Sequence, residues 1–292
     1  MKSQNLNLGA YDLISMSILV TDICSTFIET YDVNMSIEAV NENWFIDKVE
    51  EFDLDPIDQV ALVQKNNKVI GFLLPEDLNS GEMVIDSYQQ FEPDVLLSAN
   101  TSIIDFAQIV SASSHQLFFI IDGNEIVGWL NYKDLNKAPF HLCLMSVFFE
   151  LERSLLYVLL LTPKMSFALL SSEAQLRALD LYKKKGWSFS NQGLPYHYNL
   201  LECTTLTDRI KMVKRLPFVK DQFIPAIKNR KYFDLLINVR NEIAHPGLVS
   251  GIFELIRKED LWPFIRWAFE VSRQLIDYYR DKSKHQMDNH LK

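Results

Sequence analysis

Cysteine is scarce: 292 residues contain three, and Cys24, Cys143 and Cys203 form no CxxC or CxxH pattern. An odd, scattered set argues against a disulfide framework and a zinc site, and it points to a reducing compartment. Long apolar runs are also missing. The N-terminus has Lys2 but no continuous apolar segment, so no signal peptide is expected. The most apolar stretch, His141–Leu161, is interrupted by Glu150, Glu152 and Arg153, which makes it a buried helix of a folded domain and not a membrane span. A Walker loop, a GxSxG elbow and a GxGxxG turn are absent, against NTPase, hydrolase and dinucleotide-binding chemistry. His115, His141, His197, His285 and His290 have no partner spacing that suggests metal, so no metal site is expected.

What is present is enough apolar content, 48%, to fill two cores. The net charge of −9 hides an asymmetry. Residues 1–162 carry 7 Lys+Arg against 24 Asp+Glu, a net of −17, whereas residues 163–292 carry 22 against 14, a net of +8. The basic half suits a polyanion that the acidic half would repel; mutual attraction of the halves explains the same numbers.

The front half says one thing twice. Val60–Ser80 (VALVQKNNKVIGFLLPEDLNS) and Leu117–Lys137 (LFFIIDGNEIVGWLNYKDLNK) align at an offset of 57, which superposes Gly71 on Gly128, Asp77 on Asp134 and Leu78 on Leu135. Each copy is an apolar run, a polar turn (Lys65-Asn66-Asn67, then Asp122-Gly123-Asn124), a second apolar run and a helix-opening acid. Ser36 and Thr101-Ser102 open a helix before each hairpin, so each copy reads strand, helix, strand, strand, helix. The openers are 66 apart, which leaves nine extra residues in copy one, around Glu51–Pro56.

Val20-Thr21-Asp22-Ile23, Ser36-Ile37-Glu38-Ala39 and the two Gly-x-x-x-x-x-Asp-Leu hairpins resemble a tandem pair of CBS domains, over about 120 residues. The resemblance implies binding of an adenosine-containing ligand and control of an attached domain. In that family the segment after the glycine runs Gly-x-x-Thr-x-x-Asp, the hydroxyl meeting phosphate and the acid the ribose hydroxyls. Copy two offers Asn131 and Asp134 there; copy one offers Leu74 and Asp77, and leucine cannot hydrogen-bond a phosphate. Asp is also a favoured N-cap, so both acids fit a purely structural role as well.

The back half reads as a bundle of four or five helices: His141–Leu161, Ser172–Lys185, Leu206–Lys214, Phe223–Ala244 and Trp262–Lys282, with Pro263 just inside the start of the last and a looser stretch around Trp187–Tyr198. Its sharpest feature is Arg240-Asn241-Glu242-Ile243-Ala244-His245-Pro246-Gly247. Pro246 disfavours helical geometry at His245, and a histidine at a helix C-terminus has its cation stabilised. Arg240 followed five residues later by His245 resembles the R-x(4–6)-H signature of HEPN domains, small helical bundles that include metal-independent endoribonucleases. The resemblance implies attack of a ribose 2′-OH on the adjacent phosphate, with His245 as general acid or base, Arg240 stabilising the phosphorane and Asn241 orienting phosphate or histidine. One histidine does not readily act as both acid and base, so a composite site across a twofold homodimer is expected. The basic run Arg209, Lys211, Lys214, Arg215, Lys220, Lys228, Arg230, Lys231, extended by Lys183-Lys184-Lys185, is a candidate RNA track, and Phe218, Phe223, Tyr232 and Phe233 are candidate stacking platforms or core.

The expected fold class is therefore α+β: a tandem CBS pair in residues 1–139 (copy one about 18–80, copy two about 84–138), then a helical bundle in residues 140–292. The expected partners are an adenine nucleotide or related regulatory ligand, RNA and a second copy of the chain, in the cytoplasm, with no required cofactor and no membrane. The competing readings are a non-catalytic module that binds nucleic acid or protein, and a structural dimer with both sites degenerate.

Overall fold

Asn66 and Asn67 close the first hairpin with both residues in the left-handed region, at φ 51° and 59°. A two-residue type I′ turn requires that conformation, and asparagine tolerates it. The computed structural model describes residues 18–25, 30–37, 40, 60–74, 77, 82–185, 196–217, 219, 229–244 and 251–290. The chain divides into two compact units, one Ser15–His141 and the other chiefly Leu142–Lys292.

In the first unit, β1 (Thr30–Asp32) lies parallel to β2 (Ala61–Lys65), which turns back antiparallel into β3 (Lys68–Leu73). After a single helical turn, α1 (Val84–Ser87), the short β4 (Gln89–Gln90) pairs antiparallel with β3 and completes a sheet of order β1-β2-β3-β4. The second sheet repeats the plan: β5 (Leu96–Ser98), α2 (Ile103–Ala112), β6 (Leu117–Asp122) parallel to β5, and β7 (Glu125–Asn131) antiparallel to β6. Both hairpins shift register at the same point, Val63/Gln64 and Ile120/Ile121, and Val63 opposite Gly71 corresponds to Ile120 opposite Gly128. The duplication thus extends to the bulge.

Helical residues on one face and the other sheet on the second face explain the continuous apolar runs, because strands covered on both faces need not alternate. Ile37, Val40, Ala61, Val63, Leu73 and Val84 share one core in copy one. In copy two Phe106 of α2 meets Phe118 edge-on at 5.4 Å. Phe72, Phe91 and Phe119 join the sheets, with ring centroids 4.5, 4.7 and 5.6 Å apart. Ser102 opens α2 as expected, its hydroxyl accepting from the Asp105 N–H at 3.1 Å. Ile37 and Val40 are helical after Ser36, whereas the insert at 51–56 lies outside the described residues.

Within this unit the reading differs from the structure in two places. Val20–Asp22 is a 3-10 turn, and the residues around it bridge to copy two, Leu19 to Ser102 and Ser25 to Trp129. Since β4 joins copy one on its way into copy two, the lead-in segment of each copy completes the sheet of the other. The short helix expected after the second hairpin is a 3-10 turn, Tyr132–Asn136.

The second unit contains α3 (Ala138–Leu160), which begins before its boundary, then α4 (Pro163–Ala168), α5 (Ser172–Lys184), α6 (Tyr196–Glu202), α7 (Leu206–Arg215), α8 (Arg230–Ala244) and α9 (Lys258–His290). Phe148, Leu151, Leu155, Met212, Leu236, Phe264 and Leu275 are buried in it. Thr205 and Asp208 form a reciprocal capping box at the start of α7. Of the expected helix Phe223–Ala244, Arg230–Ala244 is helical as α8, and the Asn229 side chain accepts from the Tyr232 N–H at 3.2 Å, whereas residues 223–228 lie outside the described residues. The last helix begins at Lys258, so Pro263 lies inside it and not in its first turn. Arg257, hydrogen-bonded to Asp260 at 2.8 and 2.9 Å, precedes that first turn. Part of the looser stretch is helical: α6 covers its end.

Candidate functional site

Asp77 and Asp134 occupy equivalent places, and local hydrogen bonds fix both. The Asp77 N–H donates to the Leu74 carbonyl at 3.0 Å, and Asp77 Oδ2 accepts from the Leu74 N–H at 2.8 Å. In copy two, Asp134 Oδ2 accepts from the Asn131 N–H at 2.6 Å, while Asn131 Oδ1 accepts from the Lys133 N–H. Asp22, which sequence reasoning gave no role, repeats the device, its Oδ2 accepting from the Leu19 N–H at 2.7 Å.

The remaining carboxylate contacts come from residues that the sequence reading missed. The Gln89 side-chain amide donates to both oxygens of Asp77, at 3.0 and 3.1 Å. The Lys137 ammonium lies 2.6 Å from Asp134 Oδ1 and donates to the Ile23 carbonyl, also at 2.6 Å. Each clasp depends on a glycine. A Cβ on Gly71 would fall 2.2 Å from the Gln89 carbonyl and 2.4 Å from the Tyr88 ring. On Gly128 it would fall 2.9 Å from the Ser25 carbonyl and 3.0 Å from Cys24 Sγ. The missing side chains let β4 and the 23–25 segment lie close enough to bring Gln89 to Asp77 and Ile23 to Lys137.

The two acids differ chemically. Asp77 is half-buried and holds a neutral amide, which a pair of ligand hydroxyls can replace donor for donor. Asp134 is buried and holds an ammonium, a stronger, charge-assisted contact. Asn131 is 1% exposed and Leu74 is apolar, so neither copy presents a hydroxyl where the resemblance expects one. Burial pushes the nearby Cys24 thiol up, which disfavours its thiolate.

In the helical unit, Arg240 and Asn241 sit near the end of α8, with Arg240 Nη1 donating to Asn241 Oδ1 at 3.4 Å. Arg240 Nε is buried without a hydrogen-bond partner among the described residues. His245 lies outside the described residues, as do Lys220, Lys228, Phe218 and Phe223.

The basic run needs correction at Arg209. Arg209 is buried and bonded to Glu152 Oε1 at 3.2 Å, to Thr204 Oγ1 and to the Glu202 carbonyl. Lys214 sits 4.5 Å over the Phe233 ring, and burial pulls its ammonium down while Asp234 opposes that. Arg230 pairs with Asp234 at 3.4 Å and Lys231 with Asp260 at 4.0 Å. Phe233 is 1% exposed and edge-on to Trp267 at 4.9 Å, so it is core and not a stacking platform. No helix among the described residues is long and apolar enough to cross a membrane.

No family model matches the chain, and neither does any curated protein. Similar solved structures exist at low identity. An uncharacterized conserved protein from Pyrococcus horikoshii is 15% identical with a TM-score of 0.33, over 41% of this chain and 90% of that one. A CBS domain-containing protein from Thermotoga maritima is 17% identical with a TM-score of 0.30, over 40% and 91%. The cytosolic domain of the Mg2+ channel MgtE, solved in complex with ATP, is 13% identical with a TM-score of 0.33, over 40% of this chain and 47% of that one.

Proposed function

We propose that the α/β unit is a CBS-type sensor of an adenosine-containing ligand and that the helical unit is its output, a HEPN-like, metal-independent endoribonuclease. The observation that supports the sensor most is the duplication itself: two hairpins with matching bulges end in acids held the same way. Asp77 is the acid assigned to the ribose, its Gln89 partner giving way to the two hydroxyls, while Asp134 and Asn131 form the second, more tightly held copy. Without a hydroxyl at Leu74 or Asn131 the phosphate contributes little, so AMP and ATP bind with similar affinity.

In the output unit the 2′-oxygen of RNA attacks the adjacent phosphorus and the 5′-oxygen leaves. His245 of one subunit takes the 2′ proton and His245 of the partner subunit protonates the leaving oxygen. Arg240 stabilises the phosphorane and Asn241 orients the phosphate. Ligand controls cleavage by favouring one dimer arrangement over the other. The Arg240-to-His245 spacing and the contact between Arg240 and Asn241 support these roles.

The test is cleavage of a labelled structured RNA in EDTA, with and without ATP. Cleavage by the wild type and a loss of roughly 10²- to 10⁴-fold in His245→Ala is the expected result. Equal cleavage by both removes the catalytic assignment. No cleavage by either favours a second reading, a non-catalytic module that binds nucleic acid or protein, and burial of Arg209 on Glu152, away from any RNA track, is compatible with it.

A further inference from the structure

Glu92, Asp94 and His115 converge in copy two although 21 residues separate the histidine from Asp94. His115 Nε2 lies 2.9 Å from Asp94 Oδ2 and 3.8 Å from Glu92 Oε2, and the three ligand atoms lie within 4.8 Å of one another. The acids flank Pro93, the first residue of the 3-10 turn Pro93–Val95 that leads into β5, and its fixed φ sets their spacing. His115 precedes β6, its N–H donating to Ser113 Oγ at 3.0 Å.

Charge is the independent observation. Neither carboxylate pairs with a lysine or arginine among the described residues, and cations are few in this part of the chain, residues 1–162 carrying 7 Lys+Arg against 24 Asp+Glu, a net charge of −17. Two carboxylates brought together on one imidazole leave an uncompensated negative charge that a divalent cation neutralises. With side chains 68%, 65% and 32% exposed, the three groups leave room for water to complete a coordination shell. One imidazole nitrogen and two carboxylates suit a borderline first-row ion, whereas Mg2+ and Ca2+ prefer oxygen ligands alone.

We propose that Glu92, Asp94 and His115 bind one divalent transition-metal ion of the Zn2+ class. The ion bridges the turn before β5 and the loop before β6, two strands paired in parallel, and so stabilises copy two. This site is separate from Asp77 and Asp134, and it holds whether or not those acids meet a nucleotide.

The experiment is a calorimetric titration of the tag-free full chain with Zn2+ in excess Mg2+, with thermal melts alongside. One equivalent is expected to bind and raise the melting temperature. His115→Ala and Glu92→Gln, both at solvent-reachable positions, are expected to weaken binding by at least roughly tenfold and to lose the thermal shift. Equal binding by wild type and His115→Ala overturns the proposal and places Zn2+ on other groups. No binding by the wild type overturns it as well and leaves an imidazole–carboxylate contact only.

Discussion

Gly71 shows how much depends on one absent methyl group. Adding it places carbon 2.2 Å from a backbone carbonyl, which cannot move without shifting β4, while the matching clash at Gly128 is milder at 2.9 Å. Gly71→Ala is therefore expected to destabilise the α/β unit by about 1–3 kcal/mol and Gly128→Ala by less, as read by urea unfolding. Equal effects would contradict the close approach of β4. His141 gives a pH signature. Burial lowers its pKa from 6.5, and its Nε2 is buried without a hydrogen-bond partner among the described residues. Because the unfolded chain binds the proton more readily, this stability is present above the unfolded value and is lost as pH falls below it. The urea midpoint of the wild type should drop between about pH 7 and 5 more steeply than that of His141→Gln. Parallel curves would show that the ring is not desolvated.

At the scale of elements, the ion pair of Glu152 on α3 with Arg209 on α7 links two helices inside the bundle. Removing one partner strands a buried charge, so Glu152→Ala is expected to cost about 3 kcal/mol. The double variant Glu152→Leu/Arg209→Met should cost less than the single one, and a larger cost from the double would refute the pairing. That pair also marks where sequence reasoning stops. Hairpin turns, the Ser102 cap and α7 were legible because their signals sit within a few residues of one another. The Glu152 contact spans 57 residues, and the clasp of Gln89 on Asp77 spans 12, so Arg209 read as a surface cation and Gln89 carried no signal. Asn229, whose side chain accepts from the Tyr232 N–H, was readable in principle because that contact spans only three residues. Pro263 misled. Proline favours a helix start, and a helix beginning at Lys258 and packed through Leu261, Phe264 and Ile265 retained it internally.

At the scale of the molecule, an acidic duplicated α/β unit and a basic helical unit share one chain, which suits a ligand sensor with an output that meets a polyanion. The asymmetry between the acids sharpens that account: a neutral amide holds Asp77, and an ammonium holds Asp134. The most direct measurement is a calorimetric titration of the full chain with AMP and ATP, run on wild type, Asp77→Asn and Asp134→Asn. The account predicts similar affinity for the two nucleotides. It also predicts a weakening of roughly ten- to a hundredfold in Asp77→Asn, the scale of losing hydrogen bonds to a charged acceptor, and a smaller one in Asp134→Asn. Nucleotide binding that is absent from the wild type, or unchanged by Asp77→Asn, would contradict it.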